Sequence, residues 1–400
     1  MKAYERFLKY AVIPTMSDEE SETCPSTKKQ LKLGALLCEE LKELGLSDAK
    51  LDEYGYVYAT LPANTEGMAA IGFIAHMDTS PDASDENIKL QLVKYEGGDI
   101  LLNKELGIYM KVSDYPYLEK YKGQTLITSD GTTLIGADDK AGIAEILTML
   151  EKLIASGKPH GKICVGFTPD EEIGRGADRF DVENFGADFA YTVDGGAIGE
   201  LEYENFNAAS AKITVNGVSI HPGSAKDKMK NAARIAMEFN TLLPENEIPE
   251  KTSGYEGFHH LTSMSGEVEL AKLSYIIRDH DMKKFEEKKA EFVRCAKIIN
   301  ERYGEGTLIL ELSDSYYNMR EKIEPCIYII ERAENAMRSL GVTPIKSPIR
   351  GGTDGARLSF MGLPCPNLST GGENFHSRFE FVSVEAMEKI SDILVKIATN

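Results

Sequence analysis

The pattern of apolar and polar positions before about residue 207 predicts alternating helices and strands. Helix-like spacing runs from Ser26 to Leu44 and from about Asp139 to Ile154. Apolar runs typical of buried strands lie at Tyr54 to Leu61, at Met68 to His76, from Lys162 to Thr168, and in a run that ends at Asp194. This alternation predicts an α/β layer with a mixed, mainly parallel sheet flanked by helices.

The middle of the chain follows a different order. The predicted elements are a strand at Ala211 to Val215, a helix at Ala225 to Leu243, strands at Gly266 to Leu270 and Lys272 to Arg278, a helix at Met282 to Tyr303, and a strand at Thr307 to Leu312. The order β-α-β-β-α-β is that of a ferredoxin-like unit. Because a helix at Ile323 to Leu340 and further α/β segments follow, we predict an inserted domain at 208–318. Residues 1–207 and 319–400 would then form one discontinuous domain.

Composition narrows the class of partner. The net charge is −19, from 45 basic and 64 acidic residues, and this excess disfavours nucleic acid and anionic membranes, which would repel the chain. No apolar run approaches the roughly 18 residues of a membrane span, and the first residues interleave charged with apolar side chains, unlike a signal peptide. We therefore expect a cytoplasmic protein with a small-molecule partner.

The six cysteines are scattered without a Cys-x-x-Cys pair. This spacing indicates neither a thiolate metal site nor a disulfide framework. Any bound metal must therefore be held by histidine and carboxylate side chains.

Candidate ligands follow the predicted strands and precede one predicted helix. They are His76, Asp78, Glu171, Glu172, Asp194, and the pair Asp138 and Asp139. Sites in open α/β sheets lie at the carboxyl ends of strands, so these side chains can converge on one crevice. His76 and Asp78, two apart on a strand, point to one face. His76 can then bind metal through one ring nitrogen while Asp78 accepts a hydrogen bond from the other.

Each motif also has an ordinary structural explanation. Aspartates such as Asp138 are favoured at helix N-termini. A His-x-Asp pair also occurs in strand-end turns, and two consecutive glutamates are most often a solvated loop. Taken one at a time, these residues therefore do not decide between a metal site and an ordinary structural role.

Taken together, these residues resemble a known family in their order and context. The similar stretches are His-Met-Asp-Thr-Ser from His76, Gly-Ala-Asp-Asp-Lys from Gly136, Pro-Asp-Glu-Glu-Ile-Gly from Pro169, Val-Asp-Gly from Val193, and Asn-Phe-His-Ser from Asn374. They resemble motifs of the zinc-dependent peptidase family that includes carboxypeptidase G and aminoacylase. The likeness covers nearly the whole chain, and the ferredoxin-like unit resembles that family's lid domain.

The resemblance implies two zinc ions per subunit. His76 and Asp194 would bind one ion, Glu172 and His376 the other, and Asp138 would bridge them. Glu171 would be the general base, and Asp78 would orient His76. Cobalt or manganese could replace zinc in vitro.

Further candidates lie in the inserted domain and in nearby loops. His221 resembles the lid histidine of that family and would stabilise the oxyanion, although a histidine before Pro-Gly is often only a turn residue. Arg278 and Arg350 suit a peptide carboxylate, because a guanidinium binds it with two hydrogen bonds; a strand-end arginine is otherwise often a surface ion pair. Asn231 is a weaker candidate, since a mid-helix asparagine usually faces solvent. Asp82 could receive the ammonium group of the substrate.

Longer stretches, such as Arg-Gly-Gly-Thr-Asp-Gly-Ala-Arg from Arg350, resemble members that remove the N-terminal residue from tripeptides. We therefore expect a tripeptide aminopeptidase. An N-acyl amino acid deacylase or a dipeptidase of the same family is the alternative. A non-catalytic binding protein would have lost a ligand or the base, and every position is filled. The lid could also pair two copies into a homodimer through an exposed sheet edge.

Overall fold

The computed structural model of the chain describes residues 1–400 and divides into two compact units. The first unit contains Met1–Tyr203, Glu321–Ser347 and Thr353–Asn400, and the second contains Glu204–Arg320 and Pro348–Gly352. The helices are α1 (Ala3–Ala11), α2 (Lys29–Glu43), α3 (Ala137–Ser156), α4 (Val182–Phe185), α5 (Ala232–Leu242), α6 (Met282–Tyr303), α7 (Arg320–Ile323), α8 (Tyr328–Ser339), α9 (Asp354–Phe360) and α10 (Val384–Ala398). The strands are β1 (Lys50–Leu51), β2 (Val57–Leu61), β3 (Ile71–His76), β4 (Gln91–Lys94), β5 (Ile100–Asn103), β6 (Ile108–Met110), β7 (Thr125–Thr128), β8 (Ile163–Thr168), β9 (Phe189–Gly195), β10 (Glu200–Glu202), β11 (Asn207–Asn216), β12 (Phe258–Gly266), β13 (Leu270–Asp279), β14 (Leu308–Tyr316), β15 (Ile345–Lys346), β16 (Asn367–Ser369), β17 (Gly372–Glu373) and β18 (Phe381–Ser383).

The first unit is built on an eight-stranded sheet in the order β1-β2-β8-β3-β9-β16-β10-β15. Its centre, β8-β3-β9-β16, is parallel, and antiparallel pairs join β1 to β2, β2 to β8, and β16 to β10. Every residue of β3 and β8 is buried, as expected for parallel strands covered on both faces. The carboxyl ends of β3, β8 and β9 therefore meet at one edge of the sheet.

Helix α3 packs closely on the central strands. A Cβ atom at Gly142 would lie 1.9 Å from the carbonyl oxygen of Val193, so only glycine allows this approach of α3 to β9. Helices α1 and α10 contact α3 in turn. The N-terminus of α3 is thereby held beside the end of β9.

A four-stranded sheet, β17-β18-β7-β4, and the pair β5-β6 complete the first unit. An apolar cluster that includes Tyr95, Leu118, Tyr121 and Phe381 stabilises this part of the unit. Tyr121 also donates a hydrogen bond to Glu373 at 2.8 Å. This sheet supports the loop that follows β17.

The second unit has the order β11-α5-β12-β13-α6-β14 and an antiparallel sheet in the order β12-β13-β11-β14. Alternate residues of β11 and β13, such as Ile213 and Leu273, are buried against Phe239 of α5 and Phe292 of α6 in one apolar cluster. The predicted fold class is thereby confirmed, including the ferredoxin-like unit.

Two boundaries predicted in this unit are wrong. The strand predicted at Gly266 to Leu270 is the turn between β12 and β13, closed by a hydrogen bond from Glu267 N–H to Leu270 O at 2.8 Å. Strand β12 comes earlier, and the exposed outer part of this edge strand lacks the apolar alternation that would reveal it. Helix α5 begins at Ala232 rather than Ala225, because Asn231 caps it. No helix in residues 1–400 is long and apolar enough to cross a membrane.

Candidate metal centre

Asp138 lies between two groups of potential metal ligands in the first unit. His76, Asp138 and Asp194 form one triad, and Asp138, Glu172 and His376 form the other. The ligand atoms within each triad lie within 4.8 Å of one another. The two triads share Asp138, so its carboxylate can bridge two cations.

The first triad is assembled at the ends of β3 and β9. Nε2 of His76 lies 2.8 Å from Oδ1 of Asp138 and 3.4 Å from Oδ1 of Asp194. Because β3 and β9 are parallel neighbours, their last residues come together without any unusual local conformation. Parallel pairing therefore creates this half of the centre.

The second triad uses the other oxygen of Asp138. Nε2 of His376 lies 3.4 Å from Oδ2 of Asp138 and 2.8 Å from Oε2 of Glu172. The two oxygens of Asp138 are thus directed to two different histidines. This arrangement is the one expected of a bridging carboxylate between two metal ions.

The turn that carries Glu171 and Glu172 is fixed by Asp78. The carboxylate of Asp78 accepts hydrogen bonds from the backbone N–H groups of Glu171 at 2.9 Å and Glu172 at 3.1 Å. Nδ1 of His76 lies 3.1 Å from the carbonyl oxygen of Asp78 and 3.3 Å from its Oδ1. Asp78 therefore orients the ring of His76 and the glutamate turn together.

A second carboxylate holds the start of the same turn. Asp170 adopts a left-handed conformation, with φ 58°, and is buried. Its carboxylate accepts hydrogen bonds from Ser26 N–H at 2.7 Å and from Gln30 Nε2 at 2.6 Å. Such contacts stabilise a backbone conformation that is uncommon for a residue other than glycine.

The loop before α3 is positioned by buried acidic side chains. Glu380 accepts hydrogen bonds from the N–H groups of Ile135, Gly136 and Asp138 at 2.8, 2.9 and 3.0 Å. Asp139, joined to Asp138 by a cis peptide bond, accepts from His76 N–H at 3.1 Å. Asp138 is therefore placed by its backbone as well as by its side-chain neighbours.

His376 lies on a loop of uncommon backbone conformation. Both Asn374 and His376 have φ 60°, in the left-handed region. Nδ1 of His376 lies 3.2 Å from Oδ2 of Asp82, which leaves Nε2 to face the triad. Asp82, considered from the sequence as a receptor for the substrate ammonium, instead contacts a candidate metal ligand in this structure.

Burial and mutual charge perturb the titration of the centre. Burial lowers the pKa of His76, but the carboxylates of Asp194 and Asp138 outweigh it and raise the pKa well above its ordinary value. Burial raises the pKa of Asp194 to about 7 and, together with the charge of Asp138, raises that of Glu172 to about 7. Hydrogen bonds to Asp138 and Glu172 raise the pKa of His376 to about 11. Burial opposes ionisation of Asp138, but its hydrogen bonds to the two histidines hold its pKa well below the ordinary value.

The donor set fits two divalent cations. Three carboxylates and two imidazoles are packed together, and Oε1 of Glu172 is buried without a hydrogen-bond partner. Buried carboxylates are unfavourable unless they are paired, protonated or bound to a metal. Imidazole nitrogen and carboxylate oxygen are ligands that zinc accepts.

Glu171 is not a member of either triad but lies beside them. Burial, with the charge of Asp194, raises the pKa of Glu171 well above its ordinary value. The charge of Asp354 also contributes to this increase. A carboxyl group with a raised pKa next to a metal site can accept and return a proton.

Two of these supporting acids were not recognised as such in the sequence. Asp354 lies within the Arg-Gly-Gly-Thr-Asp stretch that begins at Arg350, is buried, and has its pKa raised by burial to about 6. Glu380 follows the His376 motif closely in sequence. Asp354 lies within a recognised stretch and Glu380 follows one, but the contacts of both residues depend on the folding of distant segments and cannot be predicted from residue spacing.

The remaining predicted site residues belong to the second unit. Nδ1 of exposed His221 accepts a hydrogen bond from Gly223 N–H at 3.2 Å. Arg278 donates to the carbonyl oxygens of Ala209 at 3.1 Å and Ile277 at 2.9 Å. Asn231 accepts from Arg234 N–H at 3.1 Å as the N-cap of α5, so its interpretation as a mid-helix residue is wrong.

Arg350 also makes defined contacts within the second unit. Its guanidinium donates to the carbonyl oxygens of Gly254 at 2.7 Å and Glu256 at 2.9 Å, and to Oγ1 of Thr252 at 3.0 Å. In this structure Arg350 therefore holds the loop before β12.

Known proteins share this architecture and sequence. A family model described as "Peptidase dimerisation domain" matches residues 203–306. The chain is 59% identical over 398 residues to peptidase T of Alkaliphilus oremlandii, covering 98% of this chain and 97% of the relative. It is 60% identical over 396 residues to peptidase T of Clostridium acetobutylicum, with the same coverage of 98% and 97%.

Solved structures agree with the fold. The aminopeptidase PepT from Bacillus cereus matches with a TM-score of 0.79 at 23% identity, covering 100% of this chain and 97% of that one. The YXEP protein of Bacillus subtilis, described as a dinuclear metal binding peptidase of the M20 family, matches with a TM-score of 0.65 at 14% identity, covering 99% and 98%.

The fold, the inserted ferredoxin-like unit and the paired triads define the class of metal-dependent peptidases with a dimerisation domain. Within this class, the chain belongs to the peptidase T family, as its identity to the curated relatives over nearly its full length demonstrates. The resemblance noted in the sequence is thereby confirmed.

Proposed function

We propose that the chain removes the N-terminal residue from tripeptides by hydrolysis, using two divalent cations. Its place in the peptidase T family confirms the predicted metallo-aminopeptidase class. The observation that carries the mechanism is the position of Asp138, whose two oxygens are directed to His76 and His376. A carboxylate shared by two ligand groups can hold two metal ions close together, as in the two-metal sites of aminopeptidases, and the nearby Glu171 is left to carry a proton.

We assign one cation to His76, Asp138 and Asp194, and the other to Asp138, Glu172 and His376. Both ions are proposed to be zinc, because a mixed set of imidazole and carboxylate ligands suits this metal. When bound, the pair lowers the pKa of a water molecule towards about 7 and polarises the scissile carbonyl. The assignment is supported by the ligand distances and by the unpartnered oxygen of Glu172.

Glu171 is proposed as the general base. It takes a proton from the attacking water, holds it as a neutral carboxylic acid, and gives it to the amine that leaves when the peptide bond breaks. The buried surroundings that raise its pKa stabilise the protonated form between these two transfers. The hydrogen bonds from its turn to Asp78 keep the backbone of Glu171 in place during the reaction.

The second unit is proposed to supply substrate-binding groups. His221 would stabilise the developing oxyanion, and Arg278 and Arg350 would bind the substrate carboxylate. Asn231 remains the weakest of these candidates, because its side chain already caps α5. Replacing Arg350 by lysine should raise KM for a tripeptide more than for the corresponding tripeptide amide.

We also propose that residues 1–207 and 319–400 form the catalytic domain and 208–318 the lid. The lid would join two copies of the chain, since its β12 and β14 are edge strands and residues 203–306 match a dimerisation domain. A cytoplasmic location is proposed because the six cysteines are all unpaired, as in a reducing compartment.

Hydrolysis of four matched compounds tests the function. These are a tripeptide, its N-terminal dipeptide, its N-acetylated form and an N-acyl amino acid, each assayed with metal-replete protein and with a Glu171→Gln control. We expect rapid cleavage of the unblocked tripeptide alone, with release of its first residue. Preferred cleavage of the N-acyl amino acid would contradict the proposal and favour a deacylase, and preferred cleavage of the dipeptide would favour a dipeptidase.

A further inference from the structure

The turn that carries Glu171 is closed by two backbone hydrogen bonds. The N–H of Gly174 donates to the carbonyl oxygen of Glu171 at 2.7 Å, and the N–H of Arg175 donates to that of Asp170 at 2.9 Å. Residues 170–175 therefore form one closed unit. A contact that fixes the far end of this unit also restrains Glu171.

The far end has little packing of its own. Gly174 is exposed and has φ 71°. Apart from its chain neighbours, no heavy atom lies within 4 Å of the position that a Cβ atom of Gly174 would occupy. The position of this end therefore depends on hydrogen bonds rather than on side-chain packing.

Arg357 of α9 supplies such a bond. Its Nη1 donates to the carbonyl oxygen of Gly174 at 2.8 Å, and its Nη2 forms an ion pair with Asp178. Gly174 is thus held through its N–H by Glu171 and through its C=O by Arg357. Two consecutive hydrogen bonds link α9 to the backbone of Glu171.

Helix α9 is firmly placed in the first unit. Leu358 is fully buried, and a Cβ atom at Gly355 would lie 2.4 Å from the carbonyl oxygen of Cys365. The hydroxyl of Ser359 accepts a hydrogen bond from Cys365 N–H at 3.0 Å. A group held by a packed helix is positioned more precisely than one held by a loop.

The other arginine of this region reaches a less ordered partner. The guanidinium of Arg175 donates to the carbonyl oxygens of Ser21 and of exposed Glu19, the latter at 3.1 Å. These acceptors belong to a loop. Asp78 and Asp170, by contrast, hold the start of the turn. The contact with Arg357 therefore gives the end of the turn its link to a packed element.

The chain just beyond the turn has separate anchors. The hydroxyl of Tyr56 donates to the carbonyl oxygen of Gly176 at 2.8 Å. A Cβ atom at Gly176 would lie 2.2 Å from Oδ2 of Asp354, so the backbone packs directly on that carboxylate. Loss of the Arg357 side chain should therefore free Gly174 without unfolding the segment that follows.

We propose that Arg357 is a positioning residue for the general base Glu171 and acts through Gly174. This inference rests on the proposed function of Glu171. Glu172, on the same turn, is also held by its proposed cation, whereas Glu171 binds none and depends on the turn alone. A misplacement of about 1 Å can lower a rate by up to about 100-fold. Release of Gly174 should therefore lower turnover while both ions stay bound.

Arg357→Met, which keeps an apolar stem but has no donor, provides the test. We expect kcat for a tripeptide to fall by about three- to thirtyfold and KM to stay within about twofold, because the change affects proton transfer rather than substrate binding. Elemental analysis should still find two ions per chain. Hydrogen exchange of the metal-replete protein without substrate, followed by mass spectrometry, should be faster in the fragment that contains Gly174.

Two further variants separate the bond to Gly174 from the ion pair. Arg357→Lys keeps a donor and should recover most of the lost kcat. Asp178→Asn removes the ion pair but leaves the bond to Gly174. Because the ion pair is exposed, with side chains 37% and 42% accessible, kcat and exchange should match the wild type.

The outcomes also separate this inference from the proposed function. Wild-type kcat in Glu171→Gln would overturn the proposed base and this inference with it. A low kcat in Glu171→Gln together with wild-type kcat or unchanged exchange in Arg357→Met would overturn the positioning role alone. Loss of metal from Arg357→Met, or an equal loss of kcat in Asp178→Asn, would also overturn it.

Discussion

The carboxylate of Asp78 accepts a hydrogen bond from the backbone N–H of Glu171 at 2.9 Å. The same side chain lies 3.3 Å from Nδ1 of His76. One buried acid thus couples a candidate metal ligand to the proposed general base, although β3 and the glutamate turn are distant in sequence. The position of the proposed base relative to the candidate ligands therefore depends on Asp78.

Replacing Asp78 by asparagine should loosen both contacts, because an amide has one acceptor oxygen where the carboxylate has two. We expect metal affinity to fall by about 10- to 100-fold, the usual effect of losing a carboxylate behind a histidine ligand. Competition with a chelating dye measures the affinity. An Asp78→Asn protein with wild-type metal affinity and wild-type kcat would show that the contacts of Asp78 do not affect metal binding or catalysis.

Replacing Glu171 by glutamine should retain both metal ions but lower kcat by about 10²- to 10⁴-fold, since the proton carrier is removed and the ligands remain. Metal content and single-substrate kinetics on the same sample measure the two effects. Glu172→Gln is the matched comparison, and it should lose metal. Loss of metal from Glu171→Gln would mean that the roles of the two glutamates are exchanged.

Asp82 contacts Nδ1 of His376 from an exposed position, its side chain being 66% accessible. We predict that Asp82→Asn weakens binding of one of the two metal ions by up to about tenfold and leaves the other unchanged. A biphasic chelator titration resolves the two ions. Glu20→Gln, a nearby exposed substitution, is the control, and equal affinities in the wild-type and Asp82→Asn proteins would refute a positioning role.

Glu145 on α3 is buried, and neither of its carboxylate oxygens has a hydrogen-bond partner. Burial, with the charge of Glu388, raises the pKa of Glu145 well above its ordinary value in the folded protein. In the unfolded chain Glu145 ionises near its ordinary pKa. Its contribution to the free energy of unfolding therefore falls as the pH rises from the pKa in the unfolded chain to the higher pKa in the folded protein. The loss is up to about 1.4 kcal/mol per pH unit.

Glutamine at position 145 is neutral in both states and removes this loss. The Tm of Glu145→Gln relative to wild type should therefore increase between pH 5 and pH 8, as measured by calorimetry. Exposed Glu39→Gln on α2 is the control. A Tm difference that is independent of pH would indicate that Glu145 is ionised in the folded protein.

The convergence of most candidate ligands on one place could be expected from the sequence, because several of them follow strand ends; their roles as metal ligands were implied only by the family resemblance. His76, Glu172 and Asp194 come after apolar runs that are easily recognised, and parallel pairing brings such ends together. The supporting contacts were harder to predict. Glu380 and Asp82 act through hydrogen bonds to backbone or side chains that are remote in sequence, and no local pattern records them.

The bounds of strands and helices in the second unit were predicted less well, because the local sequence pattern there is weak or ambiguous. Strand β12 lies at a sheet edge and is largely exposed, so its apolar positions do not alternate clearly. Asn231 was placed within a helix because the preceding residues have good helical spacing. The structure instead uses its side chain to cap α5, an outcome that short polar side chains favour.

The stoichiometry of bound metal tests the central claim, that Asp138 is shared by two cations, most directly. Mass spectrometry of the intact native protein and elemental analysis should find two ions per chain in the wild type. Asp138→Ala should lose both ions, whereas His376→Ala should retain one. A single ion per wild-type chain, or an Asp138→Ala protein that keeps one ion at full affinity, would contradict the account.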